Sequence, residues 1–554
     1  MRSRMPLGNF LVAYLRMIGV RHVFGIPGDL VINLFMKFGR TRGLHVVTLS
    51  HEPSVGFAAD GYARSTGGLG VVCVTYGAGG FNVINPIAGA FAERVPLLVL
   101  SGGPGEDEYR VGTLIHHQAR AIESQVNMFR EVTCTARVIS DPRTAADEID
   151  EVVRAMWLHR QPGYLEIHRD MVTQSIAVPR RLIEWDGRLP RPVSDPRKVA
   201  EAADEAAAWL NRAKRPMVIV GIEPYRFGAK RDTVELVDRL GCACAASVLA
   251  KGAFPMEHPQ YMGVYAGPMS PPAVRRRAKD ADVVLSLGTL LTDIELGQQS
   301  PEIPRHKSMW TIGNKVRIKF HNYSRVSERD FIQAVLKRPL KRHPERVAYH
   351  DNLPKDVQHA GPPLNMAPLL AAINDFVASH PRTAVIVDSG DSLFGGIELK
   401  VPSTGLYMAQ GFYASMGFSI PGALGAQLGT GLRPLILCGD GSFQMTGGEI
   451  SHAVRLGLNP IVVLLNNHGW GIFRPLTTQK RLLDLPDWPY AKLAELWGGR
   501  GVRAATVPVL AQALEAAAAE ERFVLIEAMV NPADLSPVSR RYIETAGKRA
   551  RLTA

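Results

Sequence analysis

The triplet Gly439-Asp440-Gly441 closes one apolar run, LILCGD, and Asn466-Asn467 closes another, IVVLLNN, with 24 residues between the two motifs. If both runs are strands of one parallel sheet joined by a helix, the motifs emerge at the same carboxyl edge, where α/β folds bind ligands. The Asp440 carboxylate and the Asn467 amide can then share one cation, with the Gly469 carbonyl as a third protein ligand. Hard oxygen donors suit Mg²⁺ or Ca²⁺, and Mg²⁺ completes its shell with phosphate and water. Gly441 and Ser442 let a phosphate approach the backbone where the next helix begins. A GDG triplet alone is most often an ordinary Asp-Gly turn; its pairing with a strand ending in NN gives it chemical meaning. The second pattern is His116-His117, since imidazole changes protonation near neutral pH and suits acid–base work. By themselves the two histidines read equally well as a surface pair. Metal ligation is the weaker reading, because no third His or Cys lies close in sequence.

Such groups need strands to hold them. LHVVTLS, GVVCVTY, VPLLVLS, PMVIVG, ADVVLSLG, TAVIVDSG, RPLILCGD, NPIVVLLNN and RFVLIEAMV are short apolar runs separated by helical stretches. Their apolar residues do not alternate with polar ones, which predicts strands buried on both faces of parallel sheets. Pro-rich, charged stretches at 178–198 and 341–363 read as linkers. They leave blocks 1–177, 199–340 and 364–554, each long enough for its own doubly wound sheet, so the expected fold class is α/β with three doubly wound, mostly parallel domains. The middle block has no GxGxxG, and no short-period repeat or low-complexity tract is found.

At 554 residues with 46% hydrophobic and 21% charged, the chain is an enzyme-sized globular protein, neither disordered nor multispanning. A net charge of +12 suits nucleic acid, acidic membranes or small anionic substrates, and charge alone does not choose. The basic clusters Arg275–Arg277 and Lys548–Arg551 are short and punctuated, which reads as solvated surface and not as a nucleic-acid site. Cysteines 73, 134, 242, 244 and 438 form no CxxC pair, and a reducing cytoplasm is expected. The N-terminal apolar stretch is interrupted by Arg16 and reads as an amphipathic helix, not a signal peptide. No run reaches the ~18–20 apolar residues that span a bilayer, so no membrane partner is expected.

The stretch GDGSFQMTGGEISHAVRLGLNPIVVLLNN resembles the diphosphate and metal motif of thiamine diphosphate (ThDP) enzymes, in their pyruvate decarboxylase-like branch. FGIPGDL, LSHEPSVGFAADGYAR, VTYGAGGFNVINPIAGAFAERVPLLVLSG and HHQAR are similar to the pyrimidine-binding domain of that family, and GDSLF and ASMGFSIPGALGAQLG to its diphosphate domain. The phrasing is nearest to bacterial phenylpyruvate and indolepyruvate decarboxylases. The resemblance implies pyrimidine, middle and diphosphate domains, with ThDP and Mg²⁺ bound between subunits of a homo-oligomer, at least a dimer and expected to be a tetramer. It further implies that Glu52 bonds the aminopyrimidine and sets its imino tautomer, and that Met416 props the cofactor in a bent shape. Gly390, Asp391, Ser392 and Ala414 join Gly439, Asp440, Gly441, Ser442 and Asn467 as cofactor contacts. Asp29, His116 and His117 match the acid–base cluster of 2-oxo acid decarboxylases; placed on a strand, adjacent histidines point opposite ways. Asp293 matches a regulatory or substrate-contact position and reads equally well as a strand-end cap.

The sequence departs from the pyruvate decarboxylases at one point. Their pattern NNxGxxxE carries a glutamate where NNHGWGIF places Phe473, and Phe473 with Trp470 instead suits an aromatic-accepting pocket. The expectation is therefore non-oxidative decarboxylation of a bulky, aromatic 2-oxo acid to an aldehyde and CO₂. The alternatives are a carboligase that joins the decarboxylated fragment to a second carbonyl, and a non-catalytic regulatory paralogue.

Overall fold

The computed structural model describes residues 3–112, 114–296, 302–347, 349, 353–354 and 361–553. All nine apolar runs form strands, and these belong to three mostly parallel sheets flanked by helices, the α/β class that the runs predict. The first sheet has the order His45–Val47, His22–Gly25, Gly70–Val74, Leu97–Gly103, Gly163–His168, Thr135–Ile139, all parallel. A third sheet repeats this wiring with Leu406–Ala409, Thr383–Val387, Arg433–Gly439, Ile461–Asn466, Val524–Met529 and Arg500–Ala504. In both, the first two strands in space are reversed relative to the chain. The order therefore switches beside His22–Gly25 in one sheet and beside Thr383–Val387 in the other. Between them in sequence, five parallel strands, Tyr261–Val264, Ala243–Ala246, Pro216–Val220, Val283–Leu287 and Ser308–Ile312, continue into an antiparallel pair, Lys315–Ile318 and His321–Ser324.

The central strands are buried on both faces: every residue of Gly70–Val74, Leu97–Gly103, Thr383–Val387 and Ile461–Asn466 is buried, because helices cover each side. The first helix, Leu7–Met17, is amphipathic; it buries Leu7, Phe10, Leu11, Tyr14 and Leu15 and leaves Arg16 outside. Five cysteines are free, and among the described residues no helix is long and apolar enough to cross a membrane. Arg275 and Arg277 pair with Glu302 and Glu345 at 2.6 and 2.7 Å, and Arg277 is buried, so of this basic cluster Arg276 alone is exposed as the solvated-surface reading expects. The side chains of Lys548–Arg551 lie outside the described residues, as does part of 341–363.

The chain divides into two compact units. One comprises Met1–Arg191 with Pro421–Gly431, the other Pro192–Ile420 with Leu432–Ala554. Within the first unit, the helix Glu52–Thr66 meets Pro421–Gly431 backbone to backbone. A Cβ on Gly61 would stand 2.1 Å from the Gly422 carbonyl oxygen, and one on Gly425 would stand 1.9 Å from that of Ala58. A side chain at either crossing point must push the backbones apart. Gly61→Ala and Gly425→Ala should each cost about 1–3 kcal/mol, read as a lower urea midpoint by circular dichroism. Gly39→Ala, with nothing within 4 Å of the added Cβ, should leave the midpoint unchanged.

Candidate active site

Both order reversals sit at carboxyl edges, and the residues following those strand ends carry the chemistry. In the third sheet, Gly439 pairs with Leu465 in register, so Asp440 and Asn467 leave the same edge. Two short helices, Asp440–Thr446 and His452–Leu456, and a 3-10 turn between them fill the interval where a single helix is expected. A cavity of about 200 Å³ opens at this edge. Its lining includes Gly390, Asp391 and Ser392 at the start of the helix Asp391–Gly396, Ala414 and Met416 from the loop after Leu406–Ala409, Gly439 through Ser442, and Asn467, Gly469, Trp470 and Phe473. Every residue predicted at the diphosphate and metal end thus borders one space.

Asp440 is 2% exposed, and burial pushes its carboxyl up to about 6. Its two oxygens accept the Gly441 N–H at 2.8 Å and the Gly469 N–H at 2.9 Å. The two asparagines diverge. Asn466 donates to Glu527 at 2.9 Å and accepts the His468 N–H at 3.2 Å, locking the turn. Asn467 Oδ1 is buried with no hydrogen-bond partner among the described residues. A desolvated carboxylate beside an orphaned amide oxygen is a pair of hard donors that a divalent cation would satisfy. The residues present therefore fit Mg²⁺. At Gly469 the backbone has φ +154° and an added Cβ would lie 2.0 Å from the Leu483 oxygen, so only glycine fits this turn. Its carbonyl accepts the Gly471 N–H at 2.8 Å and keeps a second lone pair.

The loop bearing Met416 is held by Asp388, a residue the sequence reading missed although it ends the run TAVIVD. Asp388 is 1% exposed and accepts from the backbone N–H groups of Ser389, Gly417 and Ser419 at 2.8, 3.1 and 2.8 Å. Thr446 donates to the Gly417 carbonyl at 2.7 Å, and Gln410 receives the Ser415 N–H at 3.0 Å. Ala414 is left-handed at φ 53°. Asp391 borders the cavity, but its carboxylate faces away, accepting the Ser539 hydroxyl at 2.5 Å and the Ser536 N–H at 3.1 Å; burial raises its pKa. Trp470 packs its indole over Gly441, 2.2 Å from where a Cβ would stand. Phe473 is 47% exposed at the rim, with Ile472 and Tyr542 in the same wall. Asp293 is exposed and accepts the N–H of Ile294 at 3.0 Å, a local bond well past the end of Val283–Leu287; Ile294 itself borders the cavity.

In the first sheet the equivalent edge gathers the remaining predicted residues. Gly28 packs on Thr75, with 2.5 Å between its would-be Cβ and the Thr75 Cβ. Gly77, at φ +66°, lies against His117, whose carbonyl oxygen would be 2.1 Å from a Cβ there; Gly79 faces Glu52, 3.7 Å from Oε1. The GAGG segment thus lies against both His117 and Glu52, and Thr75 just before it packs on Gly28, the neighbour of Asp29. Asp29 and His116 meet at 2.6 Å, Oδ2 to Nε2, both exposed. Slight desolvation works to raise the Asp29 carboxyl, but the His116 hydrogen bond and charge outweigh it and hold it below its ordinary value. The histidines occupy a turn, not a strand, with His117 at φ 69° and the rings edge-to-face at 4.7 Å. They are therefore side by side, contrary to the strand-based expectation. Asp29, 87 residues from His116, also supplies the third potential metal donor that is missing nearby in sequence, with all three donor atoms within 4.8 Å. Glu52 opens the helix Glu52–Thr66, and its Oε2 accepts from Asn82 Nδ2 at 2.8 Å, an orienting partner the sequence reading missed.

Known proteins resemble the chain in three successive segments. Residues 5–128, 203–319 and 377–528 match the N-terminal TPP-binding, central and C-terminal TPP-binding domains of thiamine pyrophosphate enzymes. The chain is 36% identical over 544 residues to an indole-3-pyruvate decarboxylase of Azospirillum brasilense, covering 98% of both chains. It is 30% identical to a probable pyruvate decarboxylase of Schizosaccharomyces pombe, over 96% of this chain and 95% of that one. It is 29% identical to pyruvate decarboxylase isozyme 3 of Saccharomyces cerevisiae, over 90% of each. With two order-reversed sheets presenting their site residues at carboxyl edges, and relatives of this kind along nearly its whole length, the chain belongs to the thiamine diphosphate-dependent 2-oxo acid decarboxylase family.

Proposed function

We propose that the protein converts a bulky, aromatic 2-oxo acid of the phenylpyruvate or indolepyruvate type to an aldehyde and CO₂, and that it requires Mg²⁺. The observation that carries this is Phe473: an apolar ring stands at the rim of the cavity bearing Asp440 and Asn467, where the matching pattern in pyruvate decarboxylases has a carboxylate. The Azospirillum relative, named for indole-3-pyruvate, supports the same reading. When bound, thiamine diphosphate supplies an electron sink for the pair released as the carboxylate leaves. Asp440, Asn467 and the Gly469 carbonyl would hold Mg²⁺, while Gly441 and Ser442 leave room for the diphosphate beside the backbone. Met416 would press on the cofactor from a loop that Asp388 keeps in place. Glu52, oriented by Asn82, would hold a proton against the cofactor's pyrimidine nitrogen. The Asp29–His116 pair with His117 would deliver protons to the substrate oxygen and to the carbon that loses CO₂.

The wall around Phe473 would exclude water and favour neutral product over anionic acid. At about 200 Å³ the diphosphate cavity is smaller than the ~300–1,000 Å³ of pockets that enclose a whole drug-sized ligand. This supports a homo-oligomer, a dimer at least and by resemblance a tetramer, in which ThDP is held by more than this one cavity. By the resemblance the domains would be 1–177, 199–340 and 364–554, joined by 178–198 and 341–363. Five free cysteines support a cytoplasmic location.

The direct test is a panel of 2-oxo acids with ThDP and Mg²⁺, reading CO₂ and aldehyde together. We expect kcat/KM for phenylpyruvate or indolepyruvate to exceed that for pyruvate. Phe473→Ala should lower it severalfold for the aromatic acids, because the ring is 47% exposed and substrate contact would bury about half of a side chain worth ~1.5–3 kcal/mol when fully buried. A wild type that prefers pyruvate, or an unchanged ranking in Phe473→Ala, rejects the aromatic substrate while leaving decarboxylation intact.

Glu52→Gln should keep the fold and most ThDP binding but reduce turnover by about 10²–10⁴-fold, with slowed H/D exchange at the thiazolium C2. Exchange at the wild-type rate would remove Glu52 from this role.

Asp440→Ala and Asn467→Ala should each raise the Mg²⁺ concentration needed to retain ThDP. The double variant should show less than the sum of the two effects, since one cation serves both. Titration calorimetry reads this directly, and unchanged ThDP affinity at limiting Mg²⁺ in either variant would contradict the assignment.

A further inference from the structure

The sheet Pro216–Val220 to His321–Ser324 also reverses its order, between Pro216–Val220 and Val283–Leu287, yet its carboxyl edge is closed. An added Cβ on Gly221 would lie 2.1 Å from the Gly288 carbonyl oxygen and 2.4 Å from the Thr289 Cα, so the two strand ends touch where a dinucleotide would have to enter. The space in this region lies instead against one face of the sheet, in a cavity of about 180 Å³. Its floor is a row of registered neighbours on four strands: Ile219 beside Ser286, Ser286 beside Trp310, and Trp310 beside Arg317.

The charges around it are unbalanced. Of its two carboxylates, Glu295 is 2% exposed and accepts the N–H groups of Val248 and Leu249 at 2.8 and 2.9 Å. Glu302 is paired with Arg275 and Lys279 at 2.6 and 3.2 Å. Neither is available to the cavity's own cations. Arg317 and Arg305 also line it, and among the described residues neither guanidinium has a carboxylate or hydrogen-bond partner. Arg317 Nε is buried and unpartnered, and its guanidinium lies 5.1 Å from the centre of the Trp310 ring. Partial burial, then the facing charge of Arg305, lowers the pKa of Arg317. The hydroxyl of Thr289, 6% exposed, is likewise buried without a partner. Two adjacent unpaired guanidiniums and an orphaned hydroxyl call for an anion with several acceptor atoms, and the guanidinium fork matches a planar carboxylate. Beyond these charged groups the lining is mixed: Ile219, Leu291, Leu296, Ile303 and the Trp310 ring give an apolar side, and Ser286, Thr289, Ser308 and Tyr265 add hydroxyls.

We propose that this cavity binds a small monocarboxylate with a planar apolar tail, the carboxylate on Arg317 and Arg305 and the tail against Trp310. The size agrees: about 180 Å³ is below the ~300–1,000 Å³ of pockets for drug-sized ligands and suits an aryl acid, not a nucleotide. The site is separate from the diphosphate cavity, with which it shares no lining residue, and it does not rest on the substrate proposed above.

The test is binding of 4-fluorophenylacetate to the full-length, ThDP- and Mg²⁺-loaded protein, followed by ¹⁹F NMR and calorimetry. We expect a saturable event that persists in Phe473→Ala, so that it is not the active site. It should weaken at least tenfold in Arg317→Gln and severalfold in Arg305→Gln and Trp310→Leu, with Arg317→Lys recovering part of the loss. Arg305 is exposed, so its variant keeps the test decisive should Arg317→Gln fail to fold. Absence of binding outside the active site, or wild-type affinity in Arg305→Gln and in a folded Arg317→Gln, overturns the proposal. So does full displacement by inorganic phosphate combined with indifference to Trp310→Leu, which would mark an anion site without an aryl-binding wall.

Discussion

Everything chemical in this protein depends on where a parallel sheet reverses its strand order. At that point two adjacent strands send their connections to opposite faces, and the carboxyl edge is left open between them. The first and third sheets have the same wiring, and polar residues follow the strands at each opening: Asp29 and the GAGG segment in one, Asp388 and Asp440 in the other. The middle sheet shares the reversal but seals it with the contact between Gly221 and Gly288. Its space is displaced to the sheet face, and the chemistry there is carried by arginines and not by a turn.

Within the open edges the structure accepts local cost. Asp440 is buried with no ion pair among the described residues, Asn467 Oδ1 is buried without a donor among them, and Ala414, His117 and His468 sit at positive φ. Each conformation of this kind is disfavoured by about 1–3 kcal/mol and persists only where surrounding packing fixes it. The fixing groups are visible: Asp388 and Thr446 on the Met416 loop, Glu527 behind Asn466, and the strand pairing under both. A divalent cation held by Asp440 and Asn467, as proposed above, would offset part of this deficit.

Close backbone approach is the second device. The helix that opens with Glu52 meets Pro421–Gly431 backbone to backbone at Gly61 and Gly425, so the middle of that helix is set by steric contact and not by a soft apolar layer. Deeper in the same unit, Arg64 is 3% exposed and bonded to the fully buried Asp60 and Glu93 at 2.6 and 2.5 Å. A charge set of this kind is costly to break once desolvated and holds the helix in one position.

The sequence by itself determined the class of fold, because strands buried on both faces must be continuously apolar, and all nine such runs became strands. It also placed GDG and NN at one edge, since both end apolar runs that become parallel neighbours, with Gly439 opposite Leu465. It did not determine what lies far apart in the chain. The bond from Asn82 to Glu52, the meeting of Asp29 with His116, and the clamp of Asp388 on Gly417 and Ser419 join residues with no fixed spacing. The His116-His117 pair was read on a strand and lies in a turn, because Gly77 packs beneath it and its conformation is tertiary, not periodic. Asp391 matched a motif, yet its carboxylate is engaged by Ser536 and Ser539. Local patterns fix the period and end of an element, whereas only the folded chain decides which side chains share a desolvated space, and that space sets their protonation and their partners.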